Sequence, residues 1–186
     1  MDKCYTTEEF VREVAVDEYL ARFHNPDKVW GYCRACSNYG KQWGCPPFDF
    51  DVVALLSKYR TIRLIATKIA IHDRSISPCK INAMLRPERI RLERTLLDME
   101  RQYNTLASTY IGECLHCANG ACARLKGEPC CHPEVVRPSL EAYGFDITRT
   151  LSELFDIELK WSTATTAPSY IVLVCALFHN SDLPIE

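Results

Sequence analysis

Between Cys114 and Cys131 the chain reads CLHCANGACARLKGEPCC, which gathers five of its eleven cysteines into one short stretch. Cys114 and Cys117 form a C-x2-C pair, Cys122 follows after four residues, and Cys130 or Cys131 after seven or eight more. Four thiolates on one compact loop can give one sulfur to each iron of a cubane, so the stretch is read as an iron-sulfur binding loop of the 4Fe-4S type. The commonest ferredoxin run spaces its cysteines more closely. Zinc is the alternative. A zinc knuckle also opens with C-x2-C, but its second pair usually has the same short spacing, which Cys122 and Cys130 lack. Disulfides would require an oxidising compartment, and MDKCYTTEEF lacks the apolar run of a secretion signal, so a cytoplasmic location is expected.

A second cysteine set lies upstream in WGYCRACSNYGKQWGCPPFDF, where Cys33, Cys36 and Cys45 stand in a C-x2-C-x8-C-P-P arrangement. Gly31, Gly40 and Gly44 permit tight turns, and Pro46 and Pro47 fix the exit. Three thiols are an incomplete tetrahedral set. The fourth position could come from Cys4, Cys79, His24, His72 or a small molecule, and an open position separates a reacting metal centre from a closed structural zinc site. Trp30, Tyr32, Tyr39 and Trp43 either shield this centre or serve as ordinary core aromatics. Arg34, Lys41 and Arg137 would offset the charge of a thiolate-metal unit if they face it, and otherwise are solvated surface cations.

The elements that must hold these loops are legible in outline. The stretch T-T-E-E followed by Phe10, Val11, Val14, Tyr19, Leu20 and Phe23 predicts a capped helix over residues 7–23, stopped by Asn25-Pro26. Asp49 or Asp51 should cap a short helix in DVVALLSKY, and TIRLIATKIAI, residues 61–71, should be a strand in the middle of a sheet, closed by His72 and Asp73. A loop containing Cys79 is expected over 74–85. Pro87 opens the next helix, with Leu92, Leu96, Met99, Tyr103 and Leu106 along its apolar side. Its mixed-sign face, with Glu88, Arg89, Arg91, Glu93, Arg94, Asp98 and Arg101, is expected in water.

Further on, TYIGEC, residues 109–114, should be a short strand delivering the chain into the cysteines. RPSLEAYG predicts one helical turn opened by proline and ended by glycine, and Asp146 should cap ITRTLSELF. ELKWS and SYIVLVCALF read as strands, with Cys175 a buried inert thiol, and HNSDLPIE as a loose tail. The order of elements predicts one domain over residues 1–186, an α+β fold with a mostly antiparallel sheet packed by helices and cysteine loops at 30–48 and 112–138.

Composition bounds the rest. A chain of 186 residues is long enough to bury a core without metal staples, so metal here points to function. A net charge of -2 argues against a nucleic-acid partner, and no apolar run is long enough for a membrane span. The oligomeric state is not written in the sequence.

Two stretches carry a resemblance. CRACSNYGKQWGCPPF resembles the C-x2-C-x2-Y-G-x2-W-x-C-P-P pattern of a family of small prokaryotic, cysteine-rich, predicted metal-binding proteins. The cysteine loop with GEPCCHPEVVRPSLEAYGFDI resembles that family's P-C-R-x-P and P-S-x-E-A-x-G-x-D elements. The resemblance implies metal or iron-sulfur binding, with Cys114, Cys117, Cys122 and Cys130 as loop ligands. Cys131 stands where arginine is usual, as a spare or exchange ligand. No reaction is implied.

Three functions are therefore weighed. The first is an iron-sulfur protein passing electrons to or from an oxidoreductase, with one cluster or two and a redox protein as partner. The second is a metalloenzyme with an open coordination site at the Cys33, Cys36 and Cys45 centre, which a neighbouring pocket would favour. The third is a zinc-stabilised interaction domain. A radical-enzyme C-x3-C-x2-C triad, a glycine-rich phosphate loop and a Ser-His-Asp signature are absent.

Overall fold

Two apolar runs, TIRLIATKIAI and YIVLVCALFH, have alternate residues that are both hydrophobic, which suits strands covered on both faces. The computed structural model, which describes residues 5–72, 76–77, 80–110, 112–117, 121–162 and 166–184, places them side by side at the centre of one sheet. β1 is Tyr5–Ala15, β2 Thr61–Ile71, β3 Leu106–Ser108 and β4 Tyr170–His179, in the order β1-β2-β4-β3 with every pair antiparallel. The expected α+β class and antiparallel sheet are what the chain forms.

The period of two sorts the side chains into two cores. Ile62, Leu64 and Ala66 of β2, with Val172, Val174, Ala176 and Phe178 of β4, face a layer built from α1 (Val16–Phe23), α3 (Val52–Leu56), α5 (Ile147–Phe155) and the turn bearing Leu140, Tyr143 and Phe145. Ile69 and Ile71, with Leu173, Cys175 and Leu177, face α4, Ile81–Tyr103, through Ile81, Leu85, Leu92 and Leu96. Cys175 is fully buried, and burial pushes its thiol far above the ordinary range, as an inert core residue requires.

The first expected helix is half strand. Residues 5–15 pair along β2 from Tyr5 opposite Ile71 to Ala15 opposite Thr61, and only Val16–Phe23 is helical. Thr6, Thr7, Val11 and Val14 are β-branched, and as an edge strand the segment needs only Phe10 and Val14 to pack against one core and Tyr5 against the other. The apolar positions fit both periods, and pairing with β2 decides.

Asn25-Pro26 ends α1 and also opens α2, Pro26–Ala35. The Asn25 side chain accepts from the Lys28 amide at 3.2 Å and proline takes the first turn, so Cys33 stands on a helix rather than in a loop. The α3 and α5 predictions hold: Asp51 Oδ1 accepts from the Ala54 amide at 3.0 Å and Asp146 Oδ1 from the Arg149 amide at 3.1 Å. The turn at 139–144 also holds, closed by the Tyr143 amide on the Ser139 carbonyl at 3.1 Å and by Gly144 at φ +93°.

α4 begins six residues before Pro87, because Ile81 and Leu85 extend the apolar stripe over β2 and β4 and their burial outweighs one missing amide. Its charged face is not wholly in water. Arg91, Arg94, Asp98 and Arg101 are exposed, but Glu88 and Arg89 are buried. Glu88 accepts from Tyr5 Oη at 3.3 Å and Arg91 Nε at 2.8 Å; Arg89 Nη2 donates to the Glu113 carbonyl at 2.6 Å beneath the Tyr110 ring.

The strand expected at 109–114 lies upstream as β3. Thr109 makes only an isolated bridge to Ser139, and the chain turns at Gly112, φ +137°, where a Cβ would collide with the Arg89 guanidinium. ELKWS, residues 158–162, is not a strand. The tail is tied down as far as Pro184. Arg63 donates to the carbonyls of Pro184 at 2.7 Å and Leu183 at 3.1 Å, and Leu183 is buried. Cys4, Asp73 and Cys79 lie outside the described residues. No helix among the described residues is long and apolar enough to cross a membrane.

Asp146 gives a testable case. It caps α5 and meets Lys28 Nζ at 2.6 Å, joining α2 to α5 beside the cysteines. Partial burial pushes its carboxyl up, but the Lys28 ammonium and the Arg149 amide outweigh this and hold it below the usual carboxylate range. A carboxyl lowered by folding adds stability above its unfolded pKa, and that contribution fades as pH falls below about 4. Asp146→Ala should therefore cost about 1 kcal/mol at pH 7 and much less at acid pH, read from urea midpoints at both.

Candidate metal centre

The upstream thiols stand where α2 runs out. Cys33 is in its last turn, and the Cys36 amide closes that turn on the Cys33 carbonyl at 2.9 Å. A tight loop follows, with the Gly40 amide on the Pro46 carbonyl at 2.9 Å and the Cys45 amide on the Gln42 carbonyl at 3.0 Å. Gly40 sits at φ +68° and the Pro46-Pro47 bond is cis. This loop returns Cys45 to Cys33 and Cys36.

The downstream loop is sewn onto the upstream one. Gln42 Oε1 accepts from the Cys114 amide at 2.9 Å. Arg124, on the short 3-10 turn Ala123–Lys126, donates to the carbonyls of Gln42 at 2.7 Å, Cys45 at 2.5 Å and Pro47, and lies over the Trp43 ring. Trp43 Nε1 in turn donates to the Glu128 carbonyl at 3.1 Å. These bonds place the two cysteine groups side by side.

All nine described cysteines are free thiols, and those of the two groups are half-buried except Cys36 and Cys131, which are exposed. Burial pushes the Cys45 thiol up to about 11, with the nearby Cys36 and Cys33 adding to it, Arg124 opposing and Cys114 contributing last. Burial raises Cys33, with Cys36 adding to it. Burial raises Cys114 too; the His116 amide opposes, and Cys117, Cys122 and Cys130 reinforce. Cys117 is raised by desolvation and by Cys131, Cys122 and Cys130. The predicted ligands of each group are therefore electrostatic neighbours, and Cys45 and Cys114 link the groups. Metal coordination here has to displace protons.

The donor chemistry suits a thiophilic metal or cluster, with Cys33, Cys36 and Cys45 available on one side and Cys114, Cys117, Cys122 and Cys130 on the other. Their present spacing is looser than a coordination sphere: no group of three or more His, Cys, Asp or Glu among the described residues is arranged to hold a metal ion. Backbone amides already point at sulfur, as in the His132 amide to Cys130 Sγ contact of 3.4 Å.

Of the histidines considered for a fourth position, His24 turns to the Tyr143 carbonyl at 3.0 Å and packs on Phe145, while His72 is exposed at the end of β2. Arg34 and Lys41 are exposed. Arg137 is taken by Glu100 of α4 and by the carbonyls of Pro133, Glu134 and Val136, so it braces the exit of the loop. Arg124 and Gln42 enter the site without a signal from cysteine spacing. So does His116, whose Nε2 lies 2.9 Å from Glu93 Oε1 without the alignment of a hydrogen bond. Arg124 falls between two candidate ligands, which was the available signal.

Cys33, Cys36, Cys45 and Cys114 also line an open cavity of about 700 Å³, walled by Tyr110, Phe145 and Ala142 among others. A single sheet with helices on both faces that presents two adjoining groups of free thiols defines a cysteine-rich α+β protein of the thiolate-ligand kind. Residues 23–176 match the family described as predicted metal-binding protein (DUF2284), and the chain belongs to that family. No curated protein and no solved structure matches it.

Proposed function

We propose that Cys114, Cys117, Cys122 and Cys130 hold a 4Fe-4S cluster and that the protein passes electrons to or from an oxidoreductase in the cytoplasm. The observation that supports this reading is the gathering of these half-buried free thiols on one loop as electrostatic neighbours, with amides directed at sulfur. A cluster near the surface is what electron exchange needs, and hydrogen bonds to sulfur are among the means of setting its potential. Cys131, exposed beside Cys130, is a spare ligand.

One observation favours a second reading. The cavity adjoins the Cys33, Cys36 and Cys45 group, so a metal held by those three thiolates would have an open position for a small ligand, as in a metalloenzyme. Dithionite reduction of protein purified without oxygen separates electron transfer from structural zinc. Bleaching with a paramagnetic signal in the electron spin resonance spectrum supports the first reading. A colourless, spin-silent protein carrying zinc would overturn it.

A further inference from the structure

The cavity between the cysteine groups has a charge pattern the metal reading does not use. Glu141 lies in its wall, on the turn between β3 and α5, and its Oε2 is shielded from bulk water without a hydrogen-bond partner. Ser139 reaches the carboxyl, but among the described residues no cation pairs with it. The cations of the same wall are engaged elsewhere: Lys28 is 2.6 Å from Asp146, and Arg137 is held by Glu100. Two aromatic side chains of the wall, Tyr32 and Trp161, are 69% and 75% exposed. Exposed aromatics in the same cavity wall as a carboxyl with no paired cation are the components of cation recognition: ring faces attract an ammonium, and an acceptor fixes its N–H groups.

We propose that this cavity binds a small organic cation, an ammonium group on an apolar or aromatic body, with the Glu141 carboxylate accepting its N–H donors and Tyr32 and Trp161 flanking it. The volume, about 700 Å³, lies within the range of small-molecule sites, roughly 300–1,000 Å³. Burial, opposed by its own amide and by Ser139, holds the Glu141 carboxyl above the usual carboxylate range, and a bound cation supplies the charge that ionising it requires. Cys33, Cys36 and Cys45 line the same space. The inference does not depend on which metal they take.

Titration calorimetry of the protein as purified tests it with phenethylammonium, cyclohexylammonium and 1,4-diaminobutane. The anion 3-phenylpropanoate and neutral 2-phenylethanol serve as shape-matched controls. At least one cation should bind while the anion does not and the alcohol binds at least about tenfold more weakly, the scale of a charge-assisted hydrogen bond. Glu141→Gln should lower the cation affinity by about the same factor at an unchanged melting temperature. Should that variant fail to fold, Trp161→Leu and Tyr32→Leu, both at exposed positions, should each weaken binding about threefold or more. Equal binding of the neutral match, preference for the anion, undiminished affinity in the variants, or no binding by any of the three cations would overturn the proposal. Iron and sulfide analysis of the same preparation reports separately on the cluster.

Discussion

On the proposed cluster assignment, replacing Cys117 with alanine should remove most of the iron from the protein while leaving any metal the Cys33 loop carries. Cys117 neighbours the other thiols of the downstream group: Cys131, Cys122 and Cys130 act on it, and it acts on Cys114. A cubane that loses one of four thiolates loses a ligand to one iron, and Cys131 is the thiol that already interacts with Cys117 through its side chain. The double variant Cys117→Ala, Cys131→Ala should therefore lose more iron than the single one if Cys131 is an exchange ligand. The upstream thiols, Cys33, Cys36 and Cys45, are held by α2 and their own turn, so any metal they bind should persist. Metal analysis of the purified variants checks both statements. Loss of all metal on the single replacement would contradict two separate centres and would point to one centre shared through Cys45 and Cys114.

Glu100→Ala should lower stability by about 3 kcal/mol, the scale of breaking a buried ion pair. Glu100 accepts from Arg137 Nε at 3.0 and 2.9 Å with its two oxygens, and Oε2 also takes the Ala107 amide at 2.6 Å. Side-chain exposures of 17% for Arg137 and 14% for Glu100 mean that removing the carboxylate strands a guanidinium largely out of water. The same guanidinium gathers the carbonyls of Pro133, Glu134 and Val136, so its release also loosens the exit of the downstream cysteine loop. In a domain of this size the change should appear as a fall of about 6–12 °C in melting temperature. Glu100→Gln, which can still accept from Ala107 and Arg137, should lose less. A melting temperature unchanged in Glu100→Ala would contradict the role given to this pair.

The parts of the fold that could be read from sequence are those whose signals are local. β2 and β4 were legible because both faces of each are covered, which requires unbroken apolar runs. α3 and α5 were legible because Asp51 and Asp146 cap them through side-chain bonds three residues long. β1 was not, since its apolar positions fit a helix as well as a strand and only pairing with β2 decides between them. Glu88 and Arg89 were misplaced for a related reason: α4 touches the sheet on one side and the Tyr110–Glu113 segment on another, so more than one stripe of it is buried.

The candidate site divides the same way. Spacing identified the two cysteine groups, because a cluster or metal loop needs several thiols within a short reach of chain. That the groups adjoin could not be read from spacing. It depends on Gln42 meeting the Cys114 amide and on Arg124 meeting three carbonyls of the upstream loop, contacts separated by more than seventy residues in sequence. Glu141 was hidden within the P-S-x-E-A-x-G element, where it reads as an ordinary turn residue. The burial of its Oε2 appears only in the folded turn, whose Ala142 carbonyl meets Trp30 Nε1 of α2 at 3.0 Å.

The most direct test of the central claim is a count of iron and acid-labile sulfide on protein purified without oxygen, together with its absorption spectrum. A brown protein with about four irons and four sulfides per chain is expected for one cubane, or about eight of each for two. A colourless protein with stoichiometric zinc and no sulfide would contradict the central claim and would make both cysteine loops structural.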